Sequence, residues 1–358
     1  MLLGERGANG NYRIGGTVSA GLGGSRLLPT RDGGWFALTL IRGEDHDLLP
    51  ALFQDAAIDP ADDEAIARAV AQHDCADLVA RGRVLGLPVA SADEAPVSSP
   101  VAVLTRGPGR GRRPAGIPLV VDLSAIWAGP LIGNLLWLAG AHVVKVESLR
   151  RPDLIRGDDP DTFGCLNQGK ESVVVDFASD AEKLNLINLI RRADIVIESS
   201  RPRALRNLEI DAEALVREVP GLVWLSVTGH GATGEAADWT GIGNDCGVAG
   251  GLTRALAETS GKPGFVGDAI ADPLTGITGA IEAWRAYRAG DSCRIGLAMS
   301  AITARALAEE CAHDPDAITA ELRAWGAAIG RPFPAVPRRE MLAPVRDFGA
   351  DTAAWLSC

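Results

Sequence analysis

The sequence is short of lysine, short of cysteine and free of long apolar runs, and each shortage excludes something. Only four of the 35 basic residues are lysine, at positions 145, 170, 183 and 262. The 46 acids outnumber all 35 bases, so the 358-residue chain carries a net charge of −11. Such a chain lacks the broad basic footprint that holds nucleic acid, and no nucleic-acid partner is expected. An anionic ligand has to be held locally, by helix N-termini and single Arg or Lys side chains. The six cysteines (75, 165, 246, 293, 311 and 358) show no C-x-x-C pair. That spacing excludes a zinc ribbon and a redox pair, and no metal site is expected. Scattered thiols of this kind read as reduced, placing the protein in the cytoplasm. No stretch reaches the roughly 18 apolar residues of a membrane span. The opening residues, Met1 to Gly7, carry an acid early, unlike a signal peptide. The turn Ser124–Pro130, after the first strand of the apolar set, carries no G-x-G-x-x-G, which counts against a nicotinamide dehydrogenase.

What remains is an ordinary globular composition, 47% apolar and 23% charged. The length predicts two domains. Residues 1–104 read as a small α+β domain. Its start is glycine-rich, a strand follows at Trp35–Leu40, helices are expected over 45–54 and 62–82, and a short strand lies near Leu87–Val89. Residues 105–116, where Gly, Pro and four Arg alternate, read as a solvated linker. Beyond it, apolar strands alternate with helices: 119–123, 142–147, 172–176, 193–198 and 222–227. Continuously apolar strands of this kind belong to a parallel sheet covered on both faces. The fold class is therefore α/β, a Rossmann-like doubly wound sheet over 117–310, with a second, smaller α+β domain. The Pro-rich end of the chain, 311–358, is expected to be an extended tail that wraps another surface.

A parallel sheet binds its ligands beyond the carboxyl ends of its strands. Four features fall there. Trp127-Ala128-Gly129-Pro130 starts a helix with free backbone N–H groups after the first strand. Ser148 is followed by Arg150, Arg151 and Arg156. Asn167-Gln168-Gly169-Lys170 precedes the third strand, and Ser199-Ser200-Arg201 follows the fourth. Each alone is an ordinary loop; together they offer cationic groups to a phosphate-bearing ligand. The fifth feature is Asp272-Pro273, a helix N-cap with Pro at the first helical position. A carboxylate held at a positive helix end among small residues also suits a nucleophile for an activated acyl group.

The stretch 119–300 resembles the family III CoA-transferases, which include formyl-CoA transferase, carnitine CoA-transferase and α-methylacyl-CoA racemase. Six ordered blocks carry the resemblance: Val121-Asp122-Leu123 through Gly129-Pro130, Gly140 through Glu147, Asn167 through Ser172, Ala193 through Glu198 with Arg201-Pro202, Ser226 through Gly231, and Ala271 through Gly276. The resemblance implies that Asp272 attacks an acyl-CoA to give an acyl-aspartyl anhydride. The freed CoA thiolate then forms an aspartyl-CoA thioester, from which a second carboxylate takes the CoA. It implies CoA as substrate, with no tightly bound cofactor, beside Trp127, Ala128, Gly129, Ser148, Asn167, Lys170, Ser199, Ser200, Arg201, Asn244 and Asp245. It also implies a small carboxylic acid as the second substrate, and an interlocked homodimer.

This chain departs from the family pattern in three places. The Gly-His-Asp block of the racemases reads Gly243-Asn244-Asp245, and an amide transfers no proton at neutral pH. The Glu-Asn-Phe block reads Glu198-Ser199-Ser200. The small domain stands first in the chain. A racemase-type isomerase on the same scaffold and a catalytically impaired CoA-binding homologue are the alternatives.

Overall fold

The computed structural model describes residues 2–21, 24–109, 116–200, 202–337 and 339–356. Ten strands lie among them: β1 (Ser25–Pro29), β2 (Trp35–Thr39), β3 (Val89–Ser91), β4 (Val101–Arg106), β5 (Leu119–Asp122), β6 (His142–Ser148), β7 (Glu171–Val175), β8 (Ile195–Glu198), β9 (Val223–Thr228) and β10 (Cys293–Ala298). The chain divides into two units, each built from three segments. Unit 1 is Met1–Pro100, Gly229–Leu274 and Ala298–Arg338; unit 2 is Val101–Thr228, Thr275–Leu297 and Arg339–Cys358.

Unit 2 holds a seven-stranded sheet in the order β4-β10-β9-β8-β5-β6-β7. β5 pairs in parallel with β6 on one side and β8 on the other; β6–β7 and β8–β9 are parallel too. Counted from β5 through β10, this is the 3-2-1-4-5-6 order of a doubly wound sheet. The fold is mixed α/β and Rossmann-like, as the runs of Val, Ile and Leu require. The order reverses between β5 and β8, so the ligand crevice of such a sheet lies at their carboxyl ends, Asp122–Ser124 and Glu198–Ser200. Val121, Val144, Val173, Val196 and Trp224 share one buried core with Leu186, Leu189 and Ile190 of the helix Asp180–Arg192.

Unit 1 carries the three-stranded antiparallel sheet β1-β2-β3. Phe36, Leu38 and Val89 bury against Leu49, Leu52, Ile66 and Leu78 of its helices. The helix Gly243–Ala249 packs on β2, β3 and the helix Met299–His313, and Leu252–Ser260 packs on Pro315–Ala327.

These boundaries redraw those expected at 104, 116 and 310. The stretch 101–106 is a strand because β4 pairs antiparallel with β10, with a register shift between Arg294 and Ile295. Residues 110–115, the heart of the expected linker, lie outside the described residues. Residues 229–274 and 298–338 group with the small unit, not with the sheet. The expected extended tail contains the 13-residue helix Pro315–Ala327, with Asp314 as N-cap accepting from Ala317 N–H. Only 339–358 of that tail belongs to unit 2. There Ser172 and Val174 of β7 donate backbone N–H groups to the side chains of Asp351 and Thr352.

Candidate active site

In unit 1, the loop before the helix Ala271–Ala289 and the first turn of that helix hold two acids four residues apart, Asp268 and Asp272. Both are buried, Asp268 1% and Asp272 5% exposed. Asp268 is taken by Arg6, whose Nε and Nη2 donate to its two oxygens at 2.6 and 2.9 Å. Burial opposes the Arg6 charge, but Asp268 overrides it, and Tyr12 and Asp272 add to the pull, so Arg6 is held above its ordinary value. Arg6 stands in the glycine-rich opening of the chain and was not recognised in the sequence; 262 residues separate the partners.

Asp272 has a different setting. The helix begins at Ala271, so Asp272 is its second residue rather than its cap. Its backbone N–H donates to Ala269 O at 2.9 Å. Its carboxylate lies against the Cα of Gly243: a Cβ there would fall well inside contact distance of Asp272 Oδ2 and 2.6 Å from Ala269 Cβ. Ala269 adopts φ +47°, a left-handed conformation that costs a residue with a side chain about 1 kcal/mol or more. Asn244 holds this turn, its Oδ1 accepting from Ala269 N–H at 2.9 Å and its Nδ2 donating to Ser25 Oγ at 3.1 Å. The amide that replaces the racemase histidine is thus spent on positioning the loop that carries Asp272.

Asp245, next in the chain, is fully buried. Its carboxylate accepts from Ile242 N–H at 3.1 and 3.2 Å and from Thr39 Oγ1 at 3.4 Å. Burial pushes its carboxyl up to about 8, the hydrogen bonds oppose this, and the charge of Asp272 adds to it.

In unit 2 the site residues cluster at the sheet's reversal point. After β5, Ile126 has φ +70°, an outlier for a β-branched residue. Trp127 precedes the helix Ala128–Leu138 and is buried. Gly129 admits no side chain, because a Cβ would collide with Ser124. The loop is fixed from below. Lys145 Nζ donates to Ser124 O at 2.9 Å and Asp153 Oδ2 at 3.0 Å, and Ile126 N–H donates to Asp153 Oδ1 at 3.1 Å. Ala125 N–H donates to Ser199 Oγ at 3.2 Å, which joins the ends of β5 and β8. Ser200 donates through N–H and Oγ to Glu198 Oε2 at 3.1 and 2.9 Å. Ser148 Oγ accepts from the N–H groups of Arg150 and Arg151.

Lys170 does not present its charge at the edge. Its side chain is 1% exposed. Its three protons go to Asp122 Oδ2 at 2.8 Å, Pro130 O at 2.8 Å and Asn167 Oδ1 at 3.0 Å. That exhausts an ammonium's donors. Burial draws it down to about 8 against the pull of Asp122, so it remains charged at neutral pH. Asn167 is buried too, its Nδ2 donating to Phe163 O at 3.1 Å. Arg201 lies outside the described residues. At Gly276 the helix Ala271–Ala289 presses on Leu131, 2.6 Å from where a Cβ would stand.

The sequence pattern of CoA-transferase family III matches residues 116–328. The chain belongs to this family. Over 208 residues it is 31% identical to the succinate–glutarate CoA-transferase of Agrobacterium fabrum, covering 53% of this chain and 52% of that one. Over 175 residues it is 28% identical to the acetyl-CoA:oxalate CoA-transferase of Acetobacter aceti, covering 47% and 45%. Among solved structures, a CAIB/BAIF family protein from Brucella suis superposes with a TM-score of 0.50 at 29% identity, over 56% of this chain and 57% of that one. The chain spans about half the length of the curated relatives it matches. Within family III, the six blocks of this chain fall at β5 and its helix, β6, the turn into β7, β8, β9 and the start of the helix Ala271–Ala289.

Proposed function

We propose that this chain transfers CoA from an acyl-CoA to a carboxylic acid, with Asp272 as the covalent nucleophile. The observation that carries the reading is the place of the Asp272 carboxylate, buried against the bare Cα of Gly243 in the first turn of a 19-residue helix. A helix N-terminus favours a carboxylate there. An Asp272 oxygen attacks the thioester carbonyl, the C–S bond breaks, and CoA leaves as thiolate while the acyl group remains as a mixed anhydride. The thiolate then attacks the aspartyl carbonyl, releasing the first carboxylate and leaving an aspartyl-CoA thioester. The acceptor carboxylate attacks that thioester to give a second anhydride with the thiolate freed again; thiolate attack on the acceptor's carbonyl completes the new acyl-CoA and regenerates Asp272. No proton need be moved, which accords with an amide at position 244.

For CoA itself we assign the reversal point of the unit 2 sheet, with Trp127–Gly129, Ser148, Ser199 and Ser200 as its contacts. Lys170 and Asn167 shape the wall from behind. Asn244 is assigned to holding the Asp272 loop, and Asp245 to capping its own helix through Ile242 N–H.

The test is Asp272→Asn, which keeps the shape and removes the nucleophilic oxygen. Turnover of a succinyl-CoA and glutarate pair, or of whichever pair a screen shows productive, should fall roughly a thousandfold or more. Wild type incubated with the acyl-CoA and trapped with hydroxylamine or borohydride should carry the label on Asp272. Asp268→Asn removes the charge facing the buried Arg6 and should melt earlier, by up to about 3–5 kcal/mol, yet still label at Asp272. A label on Asp268, or full activity in Asp272→Asn, overturns the mechanism.

A further inference from the structure

Three side chains that the proposed chemistry does not use converge inside unit 1. His230, in the turn after β9, faces Asp245 and Cys246 in the first turn of the helix Gly243–Ala249. All three are buried, and one donor atom from each lies within 4.8 Å of the others. Asp245 Oδ2 is 4.0 Å from His230 Nε2 and 3.9 Å from Cys246 Sγ. His230 Nε2 has no hydrogen-bond partner, although the residue is only 3% exposed. An orphaned buried nitrogen of this kind calls for a partner. Gly241 packs against the same two donors: a Cβ there would stand 2.7 Å from Cys246 Sγ and 3.0 Å from His230 Nε2.

We propose that His230, Asp245 and Cys246 form a binding site for a thiophilic divalent cation, with zinc as the natural occupant. The donor set selects the metal: a thiolate and an imidazole disfavour magnesium and calcium, which take oxygen. Donor atoms of a tetrahedral zinc site stand roughly 3.3–3.7 Å apart, so the two Asp245 pairs need to close by about half an ångström and the His230–Cys246 pair, within 4.8 Å, by up to about 1 Å. The Cys246 thiol donates to the Gly229 carbonyl at 3.4 Å, and that oxygen is available as a fourth ligand once the thiol is deprotonated. The charges also balance. Burial pushes the imidazole down to about 3, which keeps it in the neutral, ligating form. A divalent ion with one thiolate and one carboxylate makes a neutral unit, which suits a closed interior. Without the ion, burial holds the Cys246 thiol well above its ordinary value and Asp245 up to about 8. No sequence spacing announces the site, because positions 230 and 245–246 meet only through the fold. The ion would tie the 229–231 turn to the helix whose first residue, Gly243, bears on Asp272.

The experiment uses the full chain, stripped with chelator and then titrated with Zn2+ or Co2+. After gel filtration, elemental analysis should find close to one zinc per chain. Co2+ should give the near-ultraviolet thiolate charge-transfer band. Cys246→Ser should abolish the band, and His230→Ala should weaken binding tenfold or more. Zinc should raise the Tm of wild type and leave that of the His230→Ala/Cys246→Ser double variant unmoved; circular dichroism establishes that each variant is folded. Less than about a tenth of an equivalent of zinc on wild type, cobalt bound without the thiolate band, or equal binding by the double variant would overturn the site.

Discussion

At the scale of single residues, the chemistry depends on Gly243 as much as on Asp272. A Cβ at position 243 cannot coexist with Asp272 Oδ2, because Ala269 closes the other side of the same space. Gly243→Ala must therefore push the carboxylate aside or shift the Ala269 turn. A displacement near 1 Å in a reacting group costs about a hundredfold in rate, and overpacking costs about 1–3 kcal/mol in stability. Turnover should fall by that factor or more while the variant still folds, which a thermal melt beside the rate assay would show. Wild-type turnover in Gly243→Ala would mean that Asp272 works from another position. Asp245 supports a second expectation, for chelated protein. Its carboxyl is raised to about 8 from an ordinary 3.8. Between those values the folded chain keeps a proton that the unfolded chain has lost. The contribution of this group to stability is full below about pH 4 and fades as pH rises toward 8. Asp245→Asn retains an oxygen for Ile242 N–H and cannot titrate. From pH 5 to 8 its Tm should fall less than that of wild type; parallel curves would remove the assignment.

At the scale of elements, the turn beyond β5 shows which features were legible in sequence. Ala128-Gly129-Pro130 announced a close strand–helix turn, and the structure gives the reason: Ser124 leaves no room for a side chain at Gly129. Lys170 was legible as a cation next to a strand, but its burial was not. Its three acceptors come from residues 3, 40 and 48 positions away, so only the tertiary fold reveals that its charge is internal. Strands β5 to β9 could be read to within two residues, because strands covered on both faces are continuously apolar. The helix Gly243–Ala249 could not, since its Gly and Ala content mimics a loop and its formation depends on packing against β2, β3 and the helix Met299–His313. The inward position of Lys170 changes what its removal does. Lys170→Met strands Asp122 in the core, and breaking a buried pair costs about 3–5 kcal/mol. Denaturant unfolding should show a loss of that order, and Asp122→Asn in the same chain should recover part of it. A Lys170→Met protein as stable as wild type, with weakened CoA binding alone, would return Lys170 to the ligand-facing role.

At the scale of the whole molecule, chain order and spatial grouping part company. A sequence is read in contiguous stretches, and boundaries at 104, 116 and 310 are where its texture changes. Each unit, however, draws on three separate stretches. The central sheet shows the consequence. β10, from residues 293–298, enters between β4 and β9. β7, at the other edge, is capped by Asp351 and Thr352, and Leu356 joins the core beneath. A fragment of residues 101–228 contains every strand of the parallel set that the sequence announces and would look like a complete Rossmann domain. It lacks β10 and the cap. β9, whose Val223, Trp224 and Leu225 are fully buried, would become an open apolar edge, and β4 would lose its partner. Exposed edges of this kind recruit other chains. The fragment should aggregate, or show no cooperative melt by circular dichroism, under conditions where the full chain melts cooperatively. A soluble 101–228 fragment with a sharp transition would show that β5 to β9 and their helices form a sufficient core, and that β10 and the final segment only decorate it.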